Sequence, residues 1–279
     1  MLKVPFLKNT VQKSTFKQNF QASLGFEPTK DQHHTIEMLT DFLWTFGDRS
    51  SEGLELFILT GYAGTGKTSL VGAFVNSLYQ VKIKSVLLAP TGRAAKVLSN
   101  YSGNKTSTIH RKIYFKNESE GIEGFTLGQN KHTNTIFIVD EASMISTRSA
   151  LQDGDSRYQR NLLDDLVEYV YSGQNCKLIF VGDKGQLPPI GMAQSPALEK
   201  NLIRSEYGLT VFSAELNEIV RQKEESGILD IAGTLRNFEE LPPLLPVNTK
   251  DARAINGMDL QEELENAISN FGRDEVMVV

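Results

Sequence analysis

The sequence contains a single cysteine, Cys176, and no long apolar run. One cysteine excludes an intrachain disulfide, a cysteine-rich zinc site and a four-cysteine iron–sulfur cluster. No hydrophobic segment approaches the roughly 20 residues that a membrane-spanning helix needs. The N-terminus, Met-Leu-Lys-Val-Pro-Phe, lacks the apolar core of a secretory signal. We therefore expect no membrane contact and a cytoplasmic location.

Acidic residues are absent from one internal stretch, 56–117, although the chain as a whole is acidic. In total, 29 Lys and Arg stand against 34 Asp and Glu, which gives a formal net charge of −5. A long segment of one sign favours an anionic ligand larger than a single nucleotide. The alternative is a set of solvated lysines that are only neighbours in sequence. The basic residues of the stretch are Lys67, Lys82, Lys84, Arg93, Lys96, Lys105, Arg111, Lys112 and Lys116.

Short apolar runs alternate with segments of helical periodicity along most of the chain. This alternation is typical of a parallel sheet covered by helices on both faces, so the predicted fold class is α/β. A polar, Gly-containing loop between two aromatic segments predicts a small β-hairpin inserted at 113–132. The predicted strands are 54–59, 85–89, 135–139 and 177–181, and 275–279 is predicted to be the first strand of another sheet. The predicted helices are 36–46 (capped by Thr29 or Asp31), 70–78, 94–98, 162–171, 228–235 and 259–270.

Residues 61–68, Gly-Tyr-Ala-Gly-Thr-Gly-Lys-Thr, match the phosphate-binding pattern G-x-x-x-x-G-K-[ST] between a predicted strand and a predicted helix. Glycines let backbone N–H groups surround phosphate oxygens, and the helix N-terminus adds partial positive charge. Lys67 is predicted to reach the β- and γ-phosphates, and the Thr68 hydroxyl to bind Mg²⁺. The predicted cofactors are therefore ATP and Mg²⁺. The predicted nucleotide-binding residues are Gly61, Ala63, Gly64, Thr65, Gly66, Lys67, Thr68 and Ser69.

Two further motifs follow apolar strands and carry side chains suited to hydrolysis. Asp140, at the end of a strand that we expect to neighbour the P-loop strand, is predicted to hold Mg²⁺, and Glu141 to orient and deprotonate the attacking water. Gln186, within Gly-Asp-Lys-Gly-Gln-Leu-Pro-Pro (182–189), is predicted to contact the γ-phosphate and that water. The alternatives are a solvent-facing turn for the two acids and an ordinary Gly- and Pro-rich turn for the glutamine.

Taken in order, the motifs resemble those of superfamily-one DNA helicases, most closely the 5′-to-3′ branch that includes RecD and Dda. The resemblance covers about residues 26–240 and implies a P-loop NTPase fold of the RecA-like type. It rests on the P-loop, Ala-Pro-Thr-Gly-Arg-Ala-Ala (89–95), Thr-Ile-His (108–110), Asp-Glu-Ala-Ser (140–143), the 182–189 motif and Ile-Val-Arg-Gln (219–222).

On the nucleotide side, the resemblance implies that Gln32 reads the adenine base and that Arg221 contacts the γ-phosphate from the domain junction. The alternative for Gln32 is a surface position on an N-terminal helix. The alternative for Arg221 is an ion pair with Glu218 or Glu224. With Lys67, Glu141 and Gln186, Arg221 completes the predicted catalytic set.

On the nucleic-acid side, the resemblance implies that Thr91, Gly92 and Arg93 grip single-stranded DNA and that His110 lies near it. A solvated Arg93 and a structural His110 are the alternatives. The inserted hairpin falls where these helicases carry the pin that splits a duplex. We expect its aromatic residues to pack as a core rather than to stack on bases; they are Tyr114, Phe115 and Phe125.

The resemblance also implies a second RecA-like domain with an arginine finger, whose motifs we do not find in 223–279. The expected organisation is an N-terminal lead (1–27), the ATPase domain (28–215), and a junction with the truncated beginning of the second domain (216–279). We expect a helicase module that binds nucleotide with weak or no hydrolysis and no processive unwinding on its own. The expected partners are single-stranded DNA and a repair or recombination protein. The alternatives are a nucleotide-gated DNA-binding subunit without motor activity and an ATPase that acts on proteins.

Overall fold

The computed structural model describes residues 10–45, 54–117, 124–147, 161–218, 227–228, 231, 234 and 251–276. The chain divides into two units, Met1–Arg221 and Gln222–Val279. The helices are α1 (Thr10–Ala22), α2 (Lys30–Trp44), α3 (Lys67–Gln80), α4 (Gly92–Ser102), α5 (Ile109–Ile113), α6 (Leu162–Tyr171), α7 (Lys200–Tyr207) and α8 (Leu260–Phe271). The strands are β1 (Glu55–Gly61), β2 (Lys84–Ala89), β3 (Thr106–Thr108), β4 (Tyr114–Asn117), β5 (Gly124–Leu127), β6 (Thr133–Val139), β7 (Gln174–Gly182) and β8 (Thr210–Leu216).

A parallel sheet forms the centre of the first unit, in the order β3–β2–β6–β7–β1–β8. Side chains alternate between its faces, so that Phe57 and Leu59 join one apolar layer while Leu56 and Ile58 join the other. Helices α1, α2 and α3 cover the first layer, and α5, α6 and α7 cover the second. The predicted α/β fold with helices on both faces is confirmed.

The strand order differs from the expectation at one point. β6, which precedes Asp140, does not pair with the P-loop strand β1, because β7 lies between them. The three strands are still consecutive, and β7 is the strand that leads to Gln186. The glutamine motif is therefore nearer to the P-loop in the sheet than the acidic motif is.

The N-terminal lead, whose structure the sequence leaves open, contains helix α1. Phe16 and Phe20 are buried and meet the rings of Trp44 and Phe74 at centroid distances of 5.3–6.3 Å. Thr29 caps α2, as one of the two sequence alternatives predicts, and accepts a hydrogen bond from the N–H of Gln32. Helix α1 thus belongs to the apolar core of the first unit.

The predicted hairpin is confirmed, since β4 and β5 pair antiparallel as a separate two-stranded sheet. In the second unit, α8 matches the predicted acidic helix within one residue. The predicted terminal strand begins at Glu275, but Arg273–Glu275 form a 3-10 turn, and residues 277–279 lie outside the described residues. Most of the predicted helix at 228–235 also lies outside them, so the beginning of a second RecA-like domain stays a prediction.

No helix within the described ranges combines the length and the apolar character that crossing a bilayer would require.

Candidate functional site

The predicted nucleotide motifs lie at the carboxyl ends of three consecutive strands. The P-loop follows β1, the Asp140–Glu141 pair follows β6, and Gln186 follows β7. The carboxyl ends of parallel strands share one edge of the sheet, where α/β proteins bind their ligands. The structure therefore brings Lys67, Asp140, Glu141 and Gln186 to the same edge, although their roles stay predictions.

The P-loop is shaped by glycines at positions that other residues would strain. Gly64 and Gly66 have φ values of 83° and 87°, and α3 begins directly after Gly66. A Cβ on Gly61 would lie 2.8 Å from the Leu216 carbonyl oxygen and 2.8 Å from Thr65 Oγ1. Side chains are therefore excluded where the loop passes β8.

Lys67 lies against the loop that it follows. Its Nζ donates hydrogen bonds to the carbonyl oxygens of Gly61 (2.6 Å) and Tyr62 (2.8 Å). The buried Thr65 hydroxyl donates to the same Tyr62 carbonyl at 2.8 Å. Ala63 and Ser69 are exposed at this loop, whereas Thr68, the second residue of α3, is half-buried. The ammonium is thus held at the edge where phosphates are predicted to bind.

The Asp140–Glu141 pair is half-buried, and its backbone is unusual. Glu141 adopts a left-handed conformation (φ 53°, ψ 36°), which is rare for a residue with a Cβ and is typical of functional turns. Its N–H donates to Asp140 Oδ1 at 3.0 Å. Burial raises the pKa of the Asp140 carboxyl to about 6, against the opposing effects of that N–H and of the Lys67 ammonium.

Gln186 is exposed, but its side chain has one firm contact. The hydroxyl of the buried Ser143 donates to Gln186 Oε1 at 2.8 Å. Ser143 lies in the 3-10 turn Ala142–Met144 that follows Glu141. The sequence gives Ser143 no role beyond its place in the Asp-Glu-Ala-Ser motif, because its partner becomes evident only when β6 and β7 pair in the sheet.

Gln32 is fully buried, so the surface alternative for this residue is wrong. Its Nε2 donates to the Thr65 carbonyl at 3.1 Å, and its Oε1 accepts from the N–H of Thr29 at 3.1 Å. The side chain therefore links α2 to the P-loop, and its contact with adenine stays a prediction. The adjacent Asp31, for which the sequence indicates only a capping role, accepts hydrogen bonds from the N–H groups of Asn217 (2.8 Å) and Glu218 (3.3 Å).

The predicted DNA-binding residues follow β2 and β3, which pair with each other at one end of the sheet. Thr91 caps α4 by accepting a hydrogen bond from the N–H of Ala94 at 3.2 Å, and Gly92 and Arg93 are exposed in the first turn. His110 is exposed on α5, with its ring 5.6 Å from that of Tyr114. These residues lie on the same sheet edge as the nucleotide motifs. Arg221 lies outside the described residues.

The acid-free stretch does not form one surface. Arg93 follows the carboxyl end of β2, whereas Lys82 and Lys84 lie at the amino end of the same strand, on the opposite edge. Lys112 is directed to His132, with 2.8 Å between its Nζ and the histidine Nε2. The basic residues of the stretch therefore lie on both edges of the sheet, and the anionic ligand larger than a nucleotide stays a prediction for those on the edge of Arg93.

Two of the three hairpin aromatics are more exposed than we expected. Phe115 and Phe125 are 56% and 67% exposed, so the prediction of a packed aromatic core is wrong for them. The strand register puts them on opposite faces of the hairpin, because Phe115 pairs with Thr126 and Phe125 with Lys116. Tyr114 does pack as predicted, and its hydroxyl donates to Asp165 Oδ2 of α6 at 2.6 Å.

Lys112 and His132 lie on either side of the β4–β5 hairpin and contact each other. This contact predicts that the free energy of unfolding falls in acid. Burial lowers the pKa of His132, and the charges of Lys112 and Lys84 lower it further. As the pH falls below about 6.5, His132 takes up a proton in the unfolded chain more readily than in the folded chain. The unfolded state is therefore favoured, and the free energy of unfolding falls. Urea unfolding between about pH 7.5 and 5 should show less acid loss for His132→Gln than for the wild type. Identical pH profiles for the two proteins would exclude this role.

Comparisons with known proteins match the part of the chain that contains the motifs on the sheet edge. The AAA-domain family matches residues 49–240. The ATP-dependent RecD2 DNA helicase of Deinococcus radiodurans is 32% identical over 142 residues, which cover 50% of this chain and 17% of that protein. The ATP-dependent DNA helicase dda of Enterobacteria phage T4 is 28% identical over 181 residues, which cover 64% of this chain and 37% of that protein.

A third relative is the uncharacterized protein MJ1519 of Methanocaldococcus jannaschii, which is 35% identical over 146 residues, or 48% of this chain and 11% of that protein. The matched region therefore spans well under half the length of each of these three relatives. The family match includes the P-loop, both hydrolysis motifs and the predicted DNA-binding residues. The chain accordingly belongs to the AAA-domain family, and it carries the RecA-like nucleotide-binding half found in superfamily-one helicases related to RecD and Dda.

Proposed function

We propose that this chain is the ATP-binding motor module of a DNA helicase, which couples ATP hydrolysis to movement along single-stranded DNA. The observation that carries the proposal is the row of motifs on one sheet edge, where the nucleotide motifs of β1, β7 and β6 lie beside the DNA motifs of β2 and β3. The relatives named as ATP-dependent DNA helicases support it. The 5′-to-3′ direction and a repair or recombination partner are part of the proposal through the resemblance alone.

The donor groups at the edge fit a nucleoside triphosphate with Mg²⁺. Mg²⁺ usually takes one or two protein ligands and completes its shell with phosphates and waters. Thr68 and Asp140 would be those ligands, and the described residues contain no cluster of three His, Cys, Asp or Glu side chains that would form an all-protein cage. When bound, Mg²⁺ would neutralise charge on the phosphates.

Different residues of this chain would bind the phosphates, support the P-loop and activate the attacking water. The P-loop N–H groups and Lys67 would bind the phosphates, and Gln32 would hold the loop to α2 through the Thr65 carbonyl. Glu141 would orient the attacking water and accept its proton. Gln186 would contact the γ-phosphate, and Arg221 would reach it from the junction.

On the DNA side, the free N–H groups at the start of α4 and the Arg93 guanidinium would contact phosphates, which fixes a strand without reading its sequence. His110 would lie beside that strand at the end of β3. Exposed hairpin aromatics would be available for stacking at a duplex end, which is worth about 1–3 kcal/mol per base. The hydrogen bond from Tyr114 to Asp165 would hold the hairpin to α6.

Nucleotide binding by the purified chain tests the proposal. Lys67→Ala should weaken binding of a fluorescent ATP analogue by at least about tenfold, because a charged hydrogen-bond partner of the phosphates is lost. Lys84→Ala, which changes an exposed lysine at the opposite edge, should bind as the wild type does. Equal affinities for the wild type and Lys67→Ala would remove the P-loop assignment.

A salt titration of single-stranded DNA binding tests the second half of the proposal. Each phosphate contact contributes a slope of about −0.7 to log K against log salt concentration. Arg93→Ala should weaken binding to an oligothymidine and make the slope shallower by about 0.7, whereas Lys84→Ala should change neither. No DNA binding at low salt would instead favour an ATPase that acts on proteins.

A further inference from the structure

We propose that Ser143 is a positioning residue that turns the Gln186 amide toward the terminal phosphate of a bound nucleoside triphosphate. The inference rests on the proposed function, and it adds a residue whose task is to distinguish ATP from ADP. Ser143 does not touch the nucleotide itself. Its effect passes through one hydrogen bond to the glutamine.

The place of Ser143 in the sheet explains why a small hydroxyl is suited to this position. The 3-10 turn after Glu141 packs directly on the end of β7, where a Cβ on Gly182 would lie 3.1 Å from the Ser143 backbone nitrogen. The Ser143 side chain is fully buried in this contact. The position of its hydroxyl, which donates to Gln186 Oε1 at 2.8 Å, is therefore fixed by the packing around it.

The backbone that carries Gln186 is fixed independently of Ser143. The buried Asp183 accepts hydrogen bonds from the N–H of Gly185 at its carboxylate (2.8 Å) and from the N–H of Gln186 at its carbonyl (3.3 Å). A Cβ on Gly185 would lie 3.1 Å from the ring of Tyr62 in the P-loop. The loop thus keeps its path without the serine, and Ser143 governs only the direction of the side chain.

The groups that the Gln186 amide can bind depend on which of its two polar atoms already contacts Ser143. Because Oε1 accepts from Ser143, the two N–H donors of the amide remain for a ligand. Among the described residues, none accepts a hydrogen bond from that nitrogen. Phosphate oxygens are acceptors, and in the proposed function the γ-phosphate is the group that Gln186 contacts. This orientation would therefore strengthen binding of a triphosphate and leave a diphosphate, which lacks that group, unaffected. An exposed glutamine held in advance also loses less conformational entropy on binding.

The test measures the affinities of the full chain for Mg²⁺ with the non-hydrolysable analogue AMP-PNP and for Mg²⁺ with ADP. Ser143→Ala should weaken AMP-PNP binding by about three- to tenfold, the value of one hydrogen bond, and leave ADP binding unchanged. Gln186→Ala should do the same. In the double variant, Ser143→Ala should add nothing to Gln186→Ala, because the serine acts only through the glutamine.

Ser77→Ala is the matched control, since Ser77 is another buried serine whose hydroxyl donates to a carbonyl, that of Ala73 at 2.8 Å in α3. It should bind both nucleotides as the wild type does. Equal losses for AMP-PNP and ADP, additive losses in the double variant, or an unchanged Ser143→Ala would each overturn the inference. Failure of the proposed function would differ, because the wild type would then bind neither nucleotide or would bind independently of Lys67.

Discussion

Glu141→Gln is expected to slow ATP hydrolysis by about 10²–10⁴-fold, the usual contribution of a general base, while ATP binding is kept. Glutamine has nearly the same shape as glutamate but does not accept the proton of the attacking water. The left-handed backbone of residue 141 is set by the turn at the end of β6, so the substituted side chain should start from the same position. The variant should therefore hold ATP without cleaving it.

Single-turnover hydrolysis with the chain in excess over labelled ATP, in the presence of single-stranded DNA, measures this effect even where the wild-type rate is low. Glu168→Gln, at an exposed position of α6, is the matched control and should hydrolyse ATP at the wild-type rate. A Glu141→Gln chain that hydrolyses as fast as the control would assign the general base to another residue.

Glu55→Leu is expected to lower the free energy of unfolding by about 3–5 kcal/mol, because it leaves a buried ammonium without its counterion. Lys177 and Glu55 form an ion pair with side chains that are 7% and 6% exposed. Lys177 Nζ also donates to the Phe42 carbonyl at 2.9 Å and to the Thr45 hydroxyl, and it lies 4.5 Å from the centre of the Phe42 ring. Burial lowers the pKa of Lys177, while the Glu55 carboxylate opposes that change.

At about 2–4 °C per kcal/mol for a chain of this size, the midpoint of thermal unfolding should fall by roughly 6–20 °C. The double variant Glu55→Leu with Lys177→Met should recover most of the loss, since no uncompensated charge remains. Asp41→Asn breaks an exposed ion pair with Lys13, whose side chain is 38% exposed, and should cost less than about 1 kcal/mol. If Glu55→Leu cost no more than Asp41→Asn, the buried pair would not stabilise the fold.

The sequence predicts β1, β2, β6 and β7, because each contains an apolar run that is buried inside the sheet. It does not predict the two edge strands, β3 and β8, which carry more polar and partly exposed residues. It also predicts that the P-loop, Asp140 and Gln186 share one edge, since parallel strands all end there. It does not predict that β7 separates β1 from β6, because the order of strands depends on how long connections cross the sheet rather than on the strands themselves.

Several other features of the structure depend on contacts between residues far apart in the sequence, which the spacing of apolar residues does not indicate. The spacing of Phe16 and Phe20 is the only helical signal in a polar segment, and it does not indicate that Trp44 and Phe74 receive them. A single glutamine on a helix, such as Gln32, is compatible with an exposed position, and its burial follows only from its contact with the P-loop. The hairpin phenylalanines are exposed because two strands provide no second layer to cover them.

Helix α2 ends before residue 49, where the family match begins, and yet it supplies the amide that holds the Thr65 carbonyl and the carboxylate that holds the backbone after β8. The boundary of the family match is therefore not the boundary of the folded unit. A shortened chain that starts at residue 49 would lack α1 and α2, so Phe74 would be open to water and the P-loop would lose its hydrogen bond from Gln32. Truncated forms of this chain should therefore begin upstream of α1.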